Sequence, residues 1–296
     1  MNHTKTGASK RPVLAMLASA LAFSLMGVCV KQVGTRLPAA EVVLARALLN
    51  VVFSWWLLQR AGIDPWGRRR GLLITRGAIG SVALLCVYVA LAELPLAAAT
   101  VLQYLYPTFT AVLAWGMLGE RIGRRALAAV LLGWGGVVLM AGRGVGLGGS
   151  TALPATPVLI AVAGALCTAL AYVSVRSLAR SEHPLVIVFY FPLVAVPLSL
   201  PLVLVNPVIP TPQELLWLLG VGLFTQLGQV TLTQSLTALP AARATAISTV
   251  QVVFAALWGW LIFAESLGLR TLAGALLILA ATLISLNAPA RREADR

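Results

Sequence analysis

Gln226, Gln229 and Thr233 stand three and then four residues apart in the stretch LFTQLGQVTLTQSL, a spacing that puts all three on one face of a helix. Thr225, Thr231 and Gln234 add to the same segment. The residues around them are mostly Leu, Val, Gly and Phe, so these amides and hydroxyls are expected in a nonpolar medium, where each needs a partner or a ligand. Such neutral donors and acceptors can hold a small polar or zwitterionic molecule, or they can tie packed helices together. Thr100, Gln103, Tyr104, Pro107 and Thr108 form a second group on a broad helical face. Pro107 has no N–H and is expected to kink its helix, leaving the carbonyl of Gln103 open to a ligand ammonium or a water. Ser248, Thr249 and Gln251 form the corresponding group later in the chain, without a proline. Ser81 and Tyr88 lie seven apart, and Ser24, Thr168 and Tyr172 offer further polar atoms.

Charge inside the apolar runs is scarce. Arg46 is the base placed well within one; it could grip a carboxylate through two parallel hydrogen bonds, or extend its head to the nearer surface. Of the 9 acids, none falls at the middle of a run, so no carboxylate proton relay or sodium site is visible. Glu120 and Glu265 sit at run ends, where a pair such as Glu120 with Arg124 is structural. His3 and His183 fall outside the runs, and Cys29, Cys86 and Cys167 read as small apolar filler. Paired carboxylates, a histidine cluster or a nucleophile with its base are all missing, which argues against an enzyme and for no cofactor or metal. Trp115, Trp258 and Trp260 either line the site or mark a membrane interface. Gly77 with Gly80, and Gly133 with Gly135 and Gly136, are expected to let helices approach closely.

The elements that hold these residues follow from composition. The chain has 296 residues, 59% hydrophobic and 10% charged, with a mean hydropathy of +0.92. That is the composition of an integral membrane protein. Runs of about 20 apolar residues suit a bilayer core, and ten are present: 12–31, 40–59, 71–92, 97–119, 125–142, 156–176, 185–205, 214–236, 242–263 and 270–287. They are continuously apolar, which excludes the alternation of a β-barrel. The first resembles a signal peptide, with Lys10 and Arg11 before an apolar core, yet its stretch runs on to Val30 and it is read as retained. The net charge of +13 is explained by topology and needs no nucleic acid. With the N-terminus in the cytoplasm, 17 Lys and Arg residues, Arg76 and Arg243 among them, fall on the cytoplasmic side, and 4 fall opposite: Lys31, Arg36, Arg143 and Arg270. This bias sets both termini in the cytoplasm.

ELPLAAATVLQYLYPTFTAVLAWGMLGERIG, beginning at Glu93, returns 145 residues later as ALPAARATAISTVQVVFAALWGWLIFAESLG. Leu94-Pro95 maps onto Leu239-Pro240, Trp115 onto Trp260, Glu120 onto Glu265 and Lys31 onto Arg176. The chain therefore divides into two halves, 1–148 and 149–296, of five spans each, forming one membrane domain. Five is odd, so the second half enters the membrane from the opposite side, as the loop charges agree. Inverted repeats of this kind build secondary transporters, in which two halves rock about a central site.

On these residues, and on RALLNVV early in the second run, the sequence resembles the EamA repeat of the drug/metabolite transporter superfamily over nearly its whole length, and within it the bacterial amino-acid and aromatic-amino-acid exporters. The resemblance implies a bacterial inner-membrane protein whose third, fourth, eighth and ninth spans, with parts of the first and sixth, surround a cavity. It then brings together Gln103, Tyr104, Pro107, Tyr88, Ser81, Gln226, Gln229, Thr233, Thr249 and Tyr172, with Arg46 as a carboxylate contact. The expected function is export of small neutral and aromatic amino acids by alternating access, from a monomer, with a dimer as the alternative state. Multidrug or nucleobase export and an uncharged-solute channel are the alternatives.

Overall fold

A computed structural model describes residues 10–34, 36–94, 102–120, 123–141, 154–205, 207–263 and 269–286. Among them are eleven helices and no strand. In the first half these are α1 (Lys10–Val33), α2 (Ala39–Ala61), α3 (Arg70–Glu93), α4 (Tyr106–Leu118) and α5 (Arg124–Ala141). The second half holds α6 (Ala155–Leu178), α7 (Pro184–Val205), α8 (Pro212–Ala238), α9 (Ala241–Ser248), α10 (Val250–Phe263) and α11 (Leu269–Leu286).

In a medium without water every backbone N–H and C=O must be satisfied within its own segment, so long apolar runs become helices. Local signals set where they start and stop. Thr211 and Glu214 form a reciprocal capping box at the start of α8. Gly62 ends α2 with a φ of 63°, its N–H turned back to the carbonyls of Gln59 and Leu58. Three prolines, Pro192, Pro197 and Pro201, lie inside α7 without ending it, a tolerance typical of membrane helices.

Seven spans among the described residues are long and apolar enough to cross a membrane, with α9 and α10 together making one of them. This is a multi-pass membrane protein. The other three expected spans, 97–119, 125–142 and 270–287, run in part beyond the described residues; within them lie α4 with 13 residues and α5 and α11 with 18 each. The ninth expected span, 242–263, is broken at Thr249 into α9 and α10. Before α4, Tyr104 and Leu105 form a turn, 145 residues ahead of that break. Pro107 therefore lies in the first turn of α4, where its missing N–H leaves no helical bond unmade, and does not kink a continuous helix as expected.

The helices pack as exchanged pairs. α1 lies along α8 and α3 along α6; α2 meets α7, and α5 meets α11. The contact of α3 with α7 is matched by that of α2 with α8, and α4 touches α6 as α9 and α10 touch α1. Small residues set the approach. A Cβ at Gly77 would stand 2.9 Å from Val194 Cγ2 and 3.0 Å from the Tyr190 carbonyl, and one at Gly136 would stand 2.7 Å from the Gly274 carbonyl. Large apolar side chains such as Leu216, Leu276, Trp115 and Trp260 face outward, while Asn50, Ser54, Arg76 and Gln226 are buried. That reverses the arrangement of a water-soluble domain and suits a lipid solvent.

Candidate functional site

Two arginines converge on one ring. Arg46, Asn50 and Ser54 follow one another at four-residue spacing on α2 and are all buried, so they form a polar stripe on the inward face. The Arg46 guanidinium carbon lies 5.8 Å from the centroid of Phe191 on α7, and that of Arg76 on α3 lies 4.9 Å from the same centroid. The two cations are thus no farther apart than the sum of those distances. Arg46 does not extend outward to the surface. At 7% exposure it points into the protein.

Arg76 is held in place from both sides. Both Glu182 carboxylate oxygens accept the backbone N–H of Arg68, and one also accepts that of Arg69, which anchors the start of α3. The Tyr190 hydroxyl donates to the Trp66 carbonyl at 2.8 Å, fixing α7 against the same corner and setting Phe191 beside Arg76. At 3% exposure, Arg76 has no hydrogen-bond partner for Nε or Nη1. Counted from sequence among the cytoplasmic bases, it is buried within the protein, and Arg243 on α9 is likewise buried.

From Arg76 the site continues into aromatics. Tyr172 on α6 lies within electrostatic reach of the guanidinium. Its ring meets Tyr106 edge-on at 5.5 Å, and Tyr106 meets Tyr104 at 5.8 Å. The Tyr106 hydroxyl shares a 2.7 Å hydrogen bond with Ser248 Oγ at the end of α9. On the other side, the Gln226 amide of α8 donates to Ser54 Oγ at 2.8 Å. One connected path of polar and aromatic groups thus joins α8, α2, α7, α3, α6, α4 and α9.

Of the residues expected from sequence, Arg46, Gln226, Tyr104 and Tyr172 lie on this path. Gln229 is half-buried with Oε1 unpartnered, and Thr233 is fully buried with its hydroxyl unpartnered. Gln103 is half-buried and Pro107 buried. Ser81 donates to its own helix at the Gly77 carbonyl, 2.9 Å away, and Thr249 to the Ala246 carbonyl, 2.7 Å away, with Gly133 close by. The Tyr88 side chain, Thr100, Pro95 and Glu265 lie outside the described residues. Trp115 and Trp260 face outward, whereas Trp258 donates to Ser24 Oγ at 2.9 Å. Sequence reasoning missed Asn50, Ser54, Arg76, Tyr106 and Phe191. A readable signal existed for one: Arg76 shares a helical face with Gly80 and Ala83, small residues of the kind that mark a packed side.

A second charged cluster lies at helix ends. Glu120, just past α4, accepts from Arg176 Nε at 2.7 Å and, through its other oxygen, from the Ala241 N–H that opens α9, at 2.9 Å. Arg176 also donates to the Thr237 carbonyl at 2.8 Å. Glu120 is therefore structural, as expected, but its partner is Arg176 on α6 and not Arg124.

The sequence pattern of the EamA-like transporter family matches residues 10–142 and again 155–287. The chain belongs to this family. Within curated proteins, it is 33% identical over 270 residues to the pseudopaline exporter CntI of Pseudomonas aeruginosa, covering 91% of this chain and 93% of that protein. It is 28% identical to a riboflavin transporter of Rhizobium johnstonii, over 94% of this chain and 91% of the relative. It is also 28% identical to human solute carrier family 35 member G1, over 89% and 75% respectively. These EamA relatives are transporters, which points away from an enzyme. A crystal structure superposes with a TM-score of 0.83 at 18% identity, covering 93% of this chain and 96% of the other, and so shares the fold.

Proposed function

We propose that this EamA-family protein is a secondary transporter that exports small amino acids and amino-acid-like metabolites across the bacterial inner membrane. Its two halves, 1–148 and 149–296, stand in opposite orientations and rock about a central site, with both termini cytoplasmic. The observation that carries this reading is the buried path from Gln226 through Phe191 to Ser248, to which helices of both halves contribute. The exchanged helix pairs support it, since the contacts of α1 with α8, of α2 with α8 and of α9 and α10 with α1 recur, with the partners swapped, as those of α3 with α6, of α3 with α7 and of α4 with α6. So do the helix interruptions at Tyr104 and Thr249, because discontinuous helices in matching positions are where transporters of inverted repeats place their sites. Arg46 receives the carboxylate common to all amino acids, and Phe191, Tyr104 and Tyr172 suit an aromatic or aliphatic side chain. Gln103, Gln229, Thr233 and the carbonyls at the break before α4 serve the ammonium end.

Flux of labelled phenylalanine or threonine in liposomes holding the purified protein tests this. Saturable flux competed by other amino acids is expected, and Gln229→Ala and Gln103→Ala should slow it while the protein stays in the membrane. Flux that rises linearly without competition identifies a channel, and normal flux in both variants removes those glutamines from the site.

A further inference from the structure

A buried guanidinium with two unpartnered nitrogens is costly unless an anion visits it. Arg76 is in that state: its Nε and Nη1 make no hydrogen bond, and its close neighbours are the ring of Phe191 and the phenol of Tyr172. Packing does not demand the charge. The matching position 145 residues later, on α8, is Val221, fully buried among apolar side chains. Nor is the charge neutralised from within. Among the described residues the acids Glu41, Asp64, Glu93, Glu120, Glu182 and Glu214 all stand in loops or within a turn of a helix end. Glu182, which anchors the start of α3, is already occupied by the backbone N–H groups of Arg68 and Arg69. Arg176 shows the alternative, since an arginine that serves to hold helices here receives a carboxylate and a carbonyl.

We infer that Arg76 is an anion-binding residue of the transport site and that it biases the site toward substrates of net negative charge over zwitterions of the same shape. This rests on the transport reading and narrows its substrate class from amino acids to amino-acid-like carboxylic acids whose charge is not balanced by an ammonium of their own. A carboxylate that reaches Tyr172 and Phe191 can accept two parallel hydrogen bonds from the guanidinium and a third from the Tyr172 hydroxyl. An anion leaves the pair neutral. A zwitterion brings in an ammonium that Arg76 repels, and the described residues of the path offer it neutral amides, hydroxyls and carbonyls in place of a carboxylate. The rings of Phe191, Tyr172 and Tyr106 suit an apolar or aromatic body for the rest of the ligand.

L-Phenyllactate carries a hydroxyl where L-phenylalanine carries its ammonium, and L-phenyllactamide carries no charge at all. The full-length protein in detergent micelles and chloride-free buffer is titrated with each while thermal unfolding is followed. Phenyllactate should raise the unfolding midpoint, and phenylalanine and phenyllactamide should each need a concentration about tenfold higher or more for the same shift. Arg76→Gln should abolish the preference for phenyllactate, and Arg76→Lys should restore part of it. If Arg76→Gln fails to fold, Arg76→Met carries the same comparison without a buried amide. The assignment is overturned by the absence of any shift with phenyllactate, by equal or stronger stabilisation from phenylalanine, or by a preference that survives in Arg76→Gln or Arg76→Met. An equal shift from chloride at the same concentration also overturns it, leaving an adventitious ion only. Flux in liposomes separates the two readings. Saturable transport of phenylalanine at the rate of phenyllactate removes the bias and leaves the transporter; charge-dependent stabilisation without flux of either compound leaves the anion site and removes the transport assignment.

Discussion

Arg176 and Arg76 are the same side chain in two opposite settings. Arg176 lies in the last turn of α6 with Glu120 at 2.7 Å and the Thr237 carbonyl at 2.8 Å, and Glu120 in turn receives the first N–H of α9. Arg76 sits almost two turns inside α3, more deeply buried, with an aromatic ring for company. In the first, charge is neutralised by the protein and joins α4, α6, α8 and α9. In the second it is left for something else to neutralise. Burial alone does not separate a structural ion from a binding one. The completeness of its partners does.

The largest effect expected from this contrast is at the neutralised site. Arg176→Gln leaves Glu120 partly buried without its cation and frees the Thr237 carbonyl, and should cost about 2 kcal/mol of stability. A Glu120→Gln, Arg176→Gln pair should recover part of that loss, because no uncompensated charge remains, although the Ala241 N–H then meets a weaker acceptor. Thermal unfolding in detergent of the two single variants and the double variant measures the coupling; additive losses would show that Glu120 and Arg176 do not act as a unit. Lys31, which occupies the position of Arg176 in the first half, lies over the Phe263 ring at 4.1 Å.

Next in size is the bond between Gln226 and Ser54, which joins α8 to the polar stripe of α2. Gln226→Leu strands the buried Ser54 hydroxyl and should cost about 1.5 kcal/mol, whereas Gln226→Leu combined with Ser54→Ala should cost less than the single change. A double variant no more stable than Gln226→Leu would mean that the hydrogen bond is not what holds the pair.

For Arg76 the sign reverses. Arg76→Gln removes an uncompensated buried cation and loses one cation–π contact, so the ligand-free protein should be as stable as the wild type or more stable by about 1 kcal/mol. Destabilisation comparable to that of Arg176→Gln would place Arg76 with the structural ions and end the distinction drawn here.

The helices were legible and the breaks were not, for one physical reason. Apolar length decides where a chain crosses a bilayer, so the expected 40–59 and 185–205 differ by two residues or fewer from Ala39–Ala61 and Pro184–Val205. The interruption at Thr249 has no Pro or Gly to announce it; it lies within a buried stretch packed against α4, α5 and α1, and tertiary contacts set it. Arg76 was hidden by its place near a helix end, where an arginine usually extends to the surface. Its direction is set by Glu182, more than a hundred residues away, which no local spacing reveals. The polar face of α8 was legible because amides in an apolar run stand out, but which of them bonds to α2 depends on the register between helices.

The smallest effect is expected at Ser81, which sharpens the comparison from the side of a fully satisfied polar group. Its hydroxyl donates at 2.9 Å to the Gly77 carbonyl, an acceptor that also has its own helical N–H. Ser81→Ala strands nothing and changes little volume, so stability should stay within about 0.5 kcal/mol of the wild type. Flux then decides what burial cannot. Slower transport at unchanged stability would mean that the hydroxyl leaves its own helix for the substrate during the cycle, and that a satisfied polar group in this fold can be a binding group at rest.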